Sequence, residues 1–268
     1  MSHITYVQLR RYLPHTVKRV ITLGSSCWIG EVDELTVLKY PHERGVETDR
    51  LQTEYDILNA IGQSPRIIGL KGYTDDGLYL ERAVNGDVYD YLKRNAASLE
   101  QRLQWCRQAA EGVAHTHFRR VLHCDIRPQN LLLDKSLDVK LADFQGKLLS
   151  ETGDVLLNGF AGEPSKYSCP RHHPDYADVK TDLFALGSTI YFIITGYEVF
   201  PDISDQDDGA EEEIQRRFRA GQFPQDSHLC EAITTKCWKQ TYNSAIEVVR
   251  DLESVDLGGT TAPFAFST

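Results

Sequence analysis

The sequence predicts an α+β protein in which a small β-rich lobe precedes a larger helical lobe. Short runs of β-branched and aromatic residues, bounded by Gly, Pro, Asp or Ser, dominate the first third of the chain. From about residue 98 onward, apolar residues recur mainly at helical spacing. The length of 268 residues suits one domain or a two-lobed unit, because single cores stop growing near this size.

The β-rich part contains four predicted strands and one predicted helix. The strands are short apolar runs at residues 19–24, 31–40, 66–70 and 77–83. The helix carries apolar residues three or four positions apart, namely Leu51, Tyr55, Leu58 and Ile61. A glycine at position 62 is suited to end it.

The helical part begins with a capping signal. Ser98, followed three residues later by Gln101, has the pattern of a capping box and predicts a helix that continues to His117. The segments LLLD and VKLAD then predict a small hairpin. An uncharged run predicts a buried helix over about 181–195, and shorter helices follow to about residue 252.

These patterns divide the chain into three parts. Residues 1–83 form the predicted β-rich N-lobe, and residues 84–254 form the predicted helical C-lobe. A turn signal, Asn-Gly, lies in the stretch 83–87 and predicts the hinge between the lobes. Residues 255–268 have the composition of a flexible tail.

The composition excludes several classes of function. A net charge of −10 argues against nucleic acid or an anionic membrane as the main partner. Six cysteines without a CxxC pair indicate reduced thiols, not a disulfide or zinc framework. The first residues lack the apolar core of a signal peptide, and the longest uncharged run, 183–196, is too short to span a bilayer. We therefore expect a cytoplasmic protein, and a monomer.

The stretch LHCDIRPQNLLLD concentrates polar residues beside a run of leucines. Asp125 and Asn130 lie five residues apart, and Asp143 follows thirteen residues later in LADFQG. Carboxylate and amide oxygens near strand ends suit Mg²⁺, which prefers hard oxygen ligands. A carboxylate not used for metal can accept a hydroxyl proton. The alternative for each residue taken alone is a solvated turn.

The chain resembles the protein kinase superfamily through an ordered set of motifs. HCDIRPQN resembles the catalytic loop HRDxxxxN, and DFQG resembles DFG. VLKY resembles the strand-three lysine motif, and EYDIL resembles the helix that supplies its glutamate partner. Downstream, PSKYSCPR and KTDLFALG resemble the end of the activation segment and the DxxxxG helix. The resemblance covers about residues 19–253. Within this superfamily, the chain resembles the short stand-alone kinase-like proteins of filamentous fungi.

The resemblance implies the bilobal protein kinase fold and the transfer of a phosphoryl group from Mg²⁺–ATP to a protein substrate. Asp125 would orient the substrate hydroxyl and take its proton, and Arg127 would contact the γ-phosphate. Asn130 and Asp143 would hold Mg²⁺.

The resemblance also implies a nucleotide site. Lys39 would contact the phosphates and pair with Glu54. Leu80 would be the gatekeeper, and residues 81–83 would offer hinge backbone to the adenine. The full set of implied nucleotide contacts is Gly24, Gly30, Val32, Val37, Lys39, Leu80, Glu81, Ala83, Asp87 and Leu132.

Two departures fall in the nucleotide site. The loop LGSSCWIGEV retains Gly24 and Gly30 but has no central glycine, which reduces the freedom of its amides to close over phosphates. Val37 stands where the family has alanine, so the adenine pocket is expected to be narrower.

Three more departures fall around the catalytic loop. Gln145 replaces the DFG glycine, so we expect a flip of the preceding phenylalanine to be harder, or its hinge to move to Gly146. Arg171 replaces the glutamate of APE, and Tyr242 occupies the place of its usual arginine partner, which predicts a different local brace. Cys124 replaces the arginine that binds a phosphorylated loop, so the activity should not require that phosphate.

Three functions remain open at this level. An active protein kinase is favoured because five residues of the motifs are all retained, namely Lys39, Glu54, Asp125, Asn130 and Asp143. A pseudokinase scaffold is the first alternative, and a small-molecule phosphotransferase with a similar loop is the second. The nominal acceptor is Ser or Thr, although Arg127 and the order of residues 164–167 lean toward tyrosine-kinase patterns.

Overall fold

The computed structural model describes residues 12–24, 27–46 and 48–257. Its first part is an antiparallel sheet of order β1-β2-β3-β5-β4 with one helix against it. These elements are β1 (Arg19–Leu23), β2 (Cys27–Asp33), β3 (Thr36–Pro41), α1 (Thr48–Ile61), β4 (Leu70–Thr74) and β5 (Gly77–Glu81).

The second part is mainly helical. Its helices are α2 (Val88–Arg94), α3 (Leu99–Phe118), α4 (Val179–Thr195), α5 (Ala210–Arg219), α6 (Glu231–Trp238) and α7 (Ala245–Glu253). Short strands lie between α3 and α4, namely β6 (Val121–Leu122), β7 (Leu131–Leu133), β8 (Val139–Leu141), β9 (Lys147–Leu149) and β10 (Val155–Asn158), with a 3₁₀ turn at Pro128–Asn130. The predicted α+β, two-lobed architecture is confirmed.

Two strand predictions are wrong in their bounds. The predicted strand 31–40 is the end of β2, a turn, and β3. The predicted strand 66–70 lies mostly outside the five-stranded sheet, because its backbone pairs with β8 of the other lobe. The N–H of Ile68 donates to Leu141 O at 2.9 Å, and the N–H of Leu141 donates to Arg66 O at 2.8 Å. This apolar run therefore joins the two lobes.

Helix starts are partly as predicted. Ser98 caps α3 by accepting a hydrogen bond from the N–H of Gln101 at 3.1 Å, but no reciprocal bond from Gln101 completes a box. A complete capping box instead begins α4, where the side chains of Asp178 and Thr181 each accept a hydrogen bond from the backbone N–H of the other residue. These bonds fix the start of α4, and Asp182 lies in its first turn.

Helix α4 forms the centre of the helical lobe. Fourteen consecutive residues, 181–194, are buried against the neighbouring helices, which explains a helix that is apolar on all sides. Within the described ranges, no helix combines the length and the apolar composition that crossing a membrane requires. The lobe boundary at 83/84 stays a prediction, and most of the predicted tail, residues 258–268, lies outside the described residues.

Candidate active site

A buried lysine on the central strand of the sheet connects the two lobes. β3 carries Lys39, and its Nζ lies 2.5 Å from Oε2 of Glu54 on α1 and 2.5 Å from Oδ1 of Asp143. Burial alone would lower the pKa of Lys39, but the charges of Asp143 and Glu54 raise it above its ordinary value. The ammonium is therefore permanently charged, and it holds α1 close to Asp143.

The catalytic-loop residues predicted from the sequence lie together. Asn130 Nδ2 donates to the backbone oxygen of Asp125 at 2.8 Å and to its Oδ2 at 2.9 Å. Arg127 Nε lies 3.1 Å from Asp125 Oδ1, but its N–H is not aligned with that oxygen, so the contact is an ion pair only. Burial raises the pKa of Asp125 more than the charge of Arg127 lowers it. A proton acceptor with these properties is suited to general-base chemistry.

Helix α4 fixes the start of this loop through one carboxylate. Asp182 accepts from the backbone N–H groups of His123 at 2.8 Å and Cys124 at 2.9 Å, and it lies 2.9 Å from His117 Nε2. Cys124 has a positive φ of 61°, which these bonds to its backbone help to maintain. Its thiol is buried, and burial together with the charge of Asp182 raises its pKa. Cys124 is therefore a buried residue with an unreactive thiol.

The DFQG segment is turned inward. Phe144 is buried, with its ring 5.0 Å from that of His123 in an edge-to-face contact. Gln145 Nε2 donates to Glu54 Oε2 at 3.3 Å, which adds a second link between this segment and α1. A Cβ at Gly146 would lie 2.0 Å from the backbone oxygen of Leu122, so the glycine is required one position later than in DFG.

The pairing of β2 with β3 defines the faces of β2. Cross-strand pairing places Ile29 opposite Lys39 and Glu31 opposite Val37, so these residues share the Lys39 face of the sheet. The register shifts between Glu31 and Asp33, and Val32 in this stretch packs against the cluster of Val17, Leu38 and Tyr40. The assignment of Val32 as a nucleotide contact stays a prediction.

The two predicted loop glycines have local structural reasons. Gly30 pairs with Leu38, and a Cβ at Gly30 would lie 2.5 Å from a methyl group of Val17 on the outer face. The N–H of Gly24 donates to the backbone oxygen of Cys27 at 2.8 Å and closes the turn. Residues 25 and 26 lie outside the described residues.

The predicted gatekeeper and hinge follow β5. Leu80 is buried opposite Val37. The side chain of Glu81 turns away from this face, because its Oε2 lies 3.1 Å from Lys140 Nζ. Among the described backbone groups, none accepts a hydrogen bond from the N–H of Ala83. The hinge thus offers one donor that a heterocycle could use.

Two other predicted contacts lie near each other. Asp87 and Leu132 form an isolated antiparallel bridge. One oxygen of Asp87 is used to cap α2, where it accepts from the N–H of Asp90 at 2.8 Å. Burial raises the pKa of Asp87. This carboxylate has a structural role beside the one predicted from the sequence.

The activation segment, residues 143–171, ends in a brace that the motifs do not contain. Arg171 Nη2 lies 2.5 Å from Oε2 of Glu163, and its Nη1 donates to Tyr176 O at 2.7 Å. The Glu163 side chain is 2% exposed, and burial raises its pKa to about 7 despite the charge of Arg171. Tyr242 contacts Asp251 rather than Arg171. The prediction of a different local brace is confirmed, although its acidic member was not found from the sequence.

The oxygen donors fit a magnesium ion that arrives with a phosphate ligand. Asn130 uses its amide nitrogen on Asp125, and no described group donates to its Oδ1. Asp143 binds Lys39 through Oδ1, and its side chain is 39% exposed. The described residues contain no group of three or more His, Cys, Asp or Glu placed for a metal. Two protein oxygens plus waters and phosphates are the set that Mg²⁺ usually takes.

Comparison with known proteins finds protein kinases both among family models and among individual relatives. The family described as "Protein kinase domain" matches residues 32–257, most of the chain. CBL-interacting serine/threonine-protein kinase 8 of Arabidopsis thaliana is 27% identical over 187 residues, covering 67% of this chain and 40% of that protein. Serine/threonine-protein kinase kin-29 of Caenorhabditis elegans is 30% identical over 161 residues, covering 57% of this chain and 19% of that protein.

A yeast protein is similar to the same degree. Serine/threonine-protein kinase GIN4 of Saccharomyces cerevisiae is 30% identical over 161 residues, covering 58% of this chain and 14% of that protein. The chain spans less than half of the length of each of these relatives. From the family match and the fold around Lys39 and Asp125, we conclude that this chain belongs to the protein kinase family.

Proposed function

We propose that the chain is an ATP-dependent protein kinase that transfers a phosphoryl group to a protein hydroxyl. The observation that carries the proposal is the bridge from Lys39 to both Glu54 and Asp143, each at 2.5 Å. Phosphoryl transfer depends on positioned charges more than on covalent help from the protein. The bridge provides one positioned cation between two carboxylates of different lobes.

The catalytic loop would supply the second half of the reaction. Asp125 would accept the proton of the substrate hydroxyl, and its burial keeps the carboxylate away from competing water. Arg127 is 31% exposed beside it and would stabilise charge on the transferred group. Asn130 and Asp143 would hold Mg²⁺, which would neutralise phosphate charge. Leu80, Val37, Leu132 and Ala83 would line the adenine side of the pocket.

Serine or threonine is the proposed acceptor. The three relatives described above are serine/threonine-protein kinases by name. The tyrosine-kinase-like order at 164–167 does not add an acceptor contact of its own, because Tyr167 is buried with its hydroxyl 2.9 Å from Glu198 Oε1.

A pseudokinase scaffold is a second candidate because of the loop at 24–30. The glycine at position 30 makes room for Val17, and this packing role does not require a nucleotide. Thermal unfolding with and without millimolar Mg²⁺–ATP separates this candidate from a nucleotide-binding kinase. We expect a rise in Tm that Asp143→Asn abolishes.

Transfer of radiolabelled phosphate from ATP to a mixture of proteins tests the proposed reaction. We expect labelling by the wild type and a loss of about 10²- to 10⁴-fold with Asp125→Asn, the range of a lost general base. The matched control is Asp208→Asn, which removes an exposed carboxylate from another part of the helical lobe. Equal labelling by Asp125→Asn and wild type would refute the proposed role. Labelling of small molecules alone would favour the small-molecule phosphotransferase.

A further inference from the structure

A cavity lies in the helical lobe, between the end of α4 and the segment that follows α5. Its volume is about 510 Å³. None of its lining residues belongs to the proposed nucleotide or catalytic site. The proposed phosphoryl transfer therefore does not account for it.

The walls of this cavity are aromatic and held by packing. Tyr191, Tyr197, Phe200 and Phe223 line it. The rings of Tyr191 and Tyr197 meet edge to face at 5.7 Å, and Phe223 stacks on the buried Trp238 at 5.6 Å. The guanidinium of Arg217 covers the Phe200 ring at 5.2 Å, whereas Tyr197 is 43% exposed. The Tyr197 ring can therefore contact a ligand without a large loss of side-chain entropy on binding.

The same cavity contains a carboxylate held by two tyrosines. The hydroxyl of Tyr191 donates to both oxygens of Asp226, at 2.9 and 3.0 Å, and the hydroxyl of Tyr197 donates to Oδ2 at 2.8 Å. Burial alone would raise the pKa of Asp226, but the hydrogen bonds from Tyr197 and Tyr191 lower it below its usual value. Asp226 is therefore negatively charged at neutral pH.

The charges lining the cavity do not cancel. Arg217 also lines the cavity, but its guanidinium is bound by Asp202 at 2.6 Å and by Glu213 at 2.9 Å. No ion pair joins Asp226 to a lysine, arginine or histidine among the described residues. A fixed anion among aromatic rings is the environment that stabilises a guanidinium or ammonium group.

We propose that this cavity binds an arginine side chain presented by a basic segment of a partner protein. The planar guanidinium can pair with the Asp226 carboxylate and stack on a ring at the same time, which an ammonium does less well. The cavity is much larger than one guanidinium, so it has room for the flanking residues of the segment.

A peptide-binding measurement tests the proposal without requiring catalytic activity. The probe is fluorescein-labelled Gly-Ser-Arg-Ser-Arg-Ser-Gly, and its partner probe has citrulline in place of both arginines. Fluorescence anisotropy is measured at about 150 mM salt, where attraction between distant surface charges is screened. We expect the arginine peptide to bind at least tenfold more tightly to the wild type than the citrulline peptide.

Two matched variants locate the binding. Asp226→Asn removes the charge but keeps an oxygen for the tyrosines, and we expect it to weaken the arginine peptide at least tenfold. Asp208→Asn removes the same charge from an exposed site, and we expect less than a twofold change. Thermal unfolding of each variant controls for misfolding, and the citrulline comparison on the wild type needs no variant. Absent binding of the arginine peptide, equal binding of the two peptides, or equal effects of the two variants would overturn the proposal.

Discussion

Polar side chains hold both the catalytic loop and the end of the activation segment in place. Only the loop does so with the residues that the kinase pattern contains. In the loop, Asp125 and Asn130 stand where the kinase pattern places them, and Asn130 donates a hydrogen bond to Asp125. At the end of the segment, Arg171 stands where the pattern has an acid, and Glu163 provides the opposite charge. The groups proposed to touch the reacting atoms keep their identity, whereas the ion pair at the end of the segment has its charges exchanged.

The difference follows from what each region must do. A general base and a metal ligand need particular atoms, because the chemistry uses their lone pairs. A brace needs only complementary charge and burial, so either member can be the acid. The charges of Glu163 and Arg171 have opposite effects on the pKa of the buried Cys124 thiol, since Glu163 raises it and Arg171 lowers it.

The largest effect is expected from breaking the brace on its basic side. Arg171→Ala would leave the Glu163 carboxylate buried without a partner, which typically costs roughly 3 to 5 kcal/mol of folding free energy. The free energy of unfolding in urea at pH 8 measures this loss. Arg216→Ala is the control, because Arg216 makes an exposed pair with Glu213 and should change stability little. Equal losses of unfolding free energy in the two variants would show that the Arg171–Glu163 pair stabilises the fold no more than an exposed ion pair does.

A somewhat smaller effect is expected from pH. The pKa of Glu163 is raised to about 7 in the folded protein, so between about pH 4.5 and 7 the folded state binds a proton that the unfolded state has lost. Stability from this group is therefore highest at low pH and falls as pH rises to 7, by about 3 kcal/mol. Glu163→Gln should remove that slope from the unfolding free energy, while Glu151→Gln, at an exposed site, should keep it. A wild-type slope identical to that of Glu163→Gln would contradict the assignment.

A still smaller effect is expected at the link between the two regions. Gln145→Gly removes the hydrogen bond to Glu54 and restores backbone freedom before Gly146, worth about 1 kcal/mol. Compounds that bind only when Phe144 turns outward should then bind about fivefold more tightly, as dissociation constants by calorimetry can measure. A compound that binds with Phe144 turned inward is the control and should be unaffected. Unchanged affinity for the first compound would mean that Gln145 does not restrain Phe144.

Residues that belong to motifs in a fixed order were easier to predict from the sequence than the faces of a strand or the partners in the Arg171–Glu163 brace. Lys39, Glu54 and Asp143 could be found because their motifs occur in a fixed order along the chain. The face on which Val32 lies could not be predicted from the sequence, because a shift of one residue along β2 exchanges the two faces of the sheet. Glu163 was missed because no motif contains it. An arginine in place of an acid was the available signal, since a buried Arg171 requires a carboxylate nearby.

We propose that the catalytic residues are held in place without a phosphorylated activation segment. The direct measurement is the initial rate of phosphate transfer by wild-type protein before and after phosphatase treatment, with mass spectrometry confirming that no phosphate remains. Asp125→Asn gives the background rate. We expect the dephosphorylated protein to keep its rate of phosphate transfer to within a factor of ten. A tenfold change corresponds to about 1.4 kcal/mol of transition-state stabilisation. A fall to the rate of Asp125→Asn would contradict it.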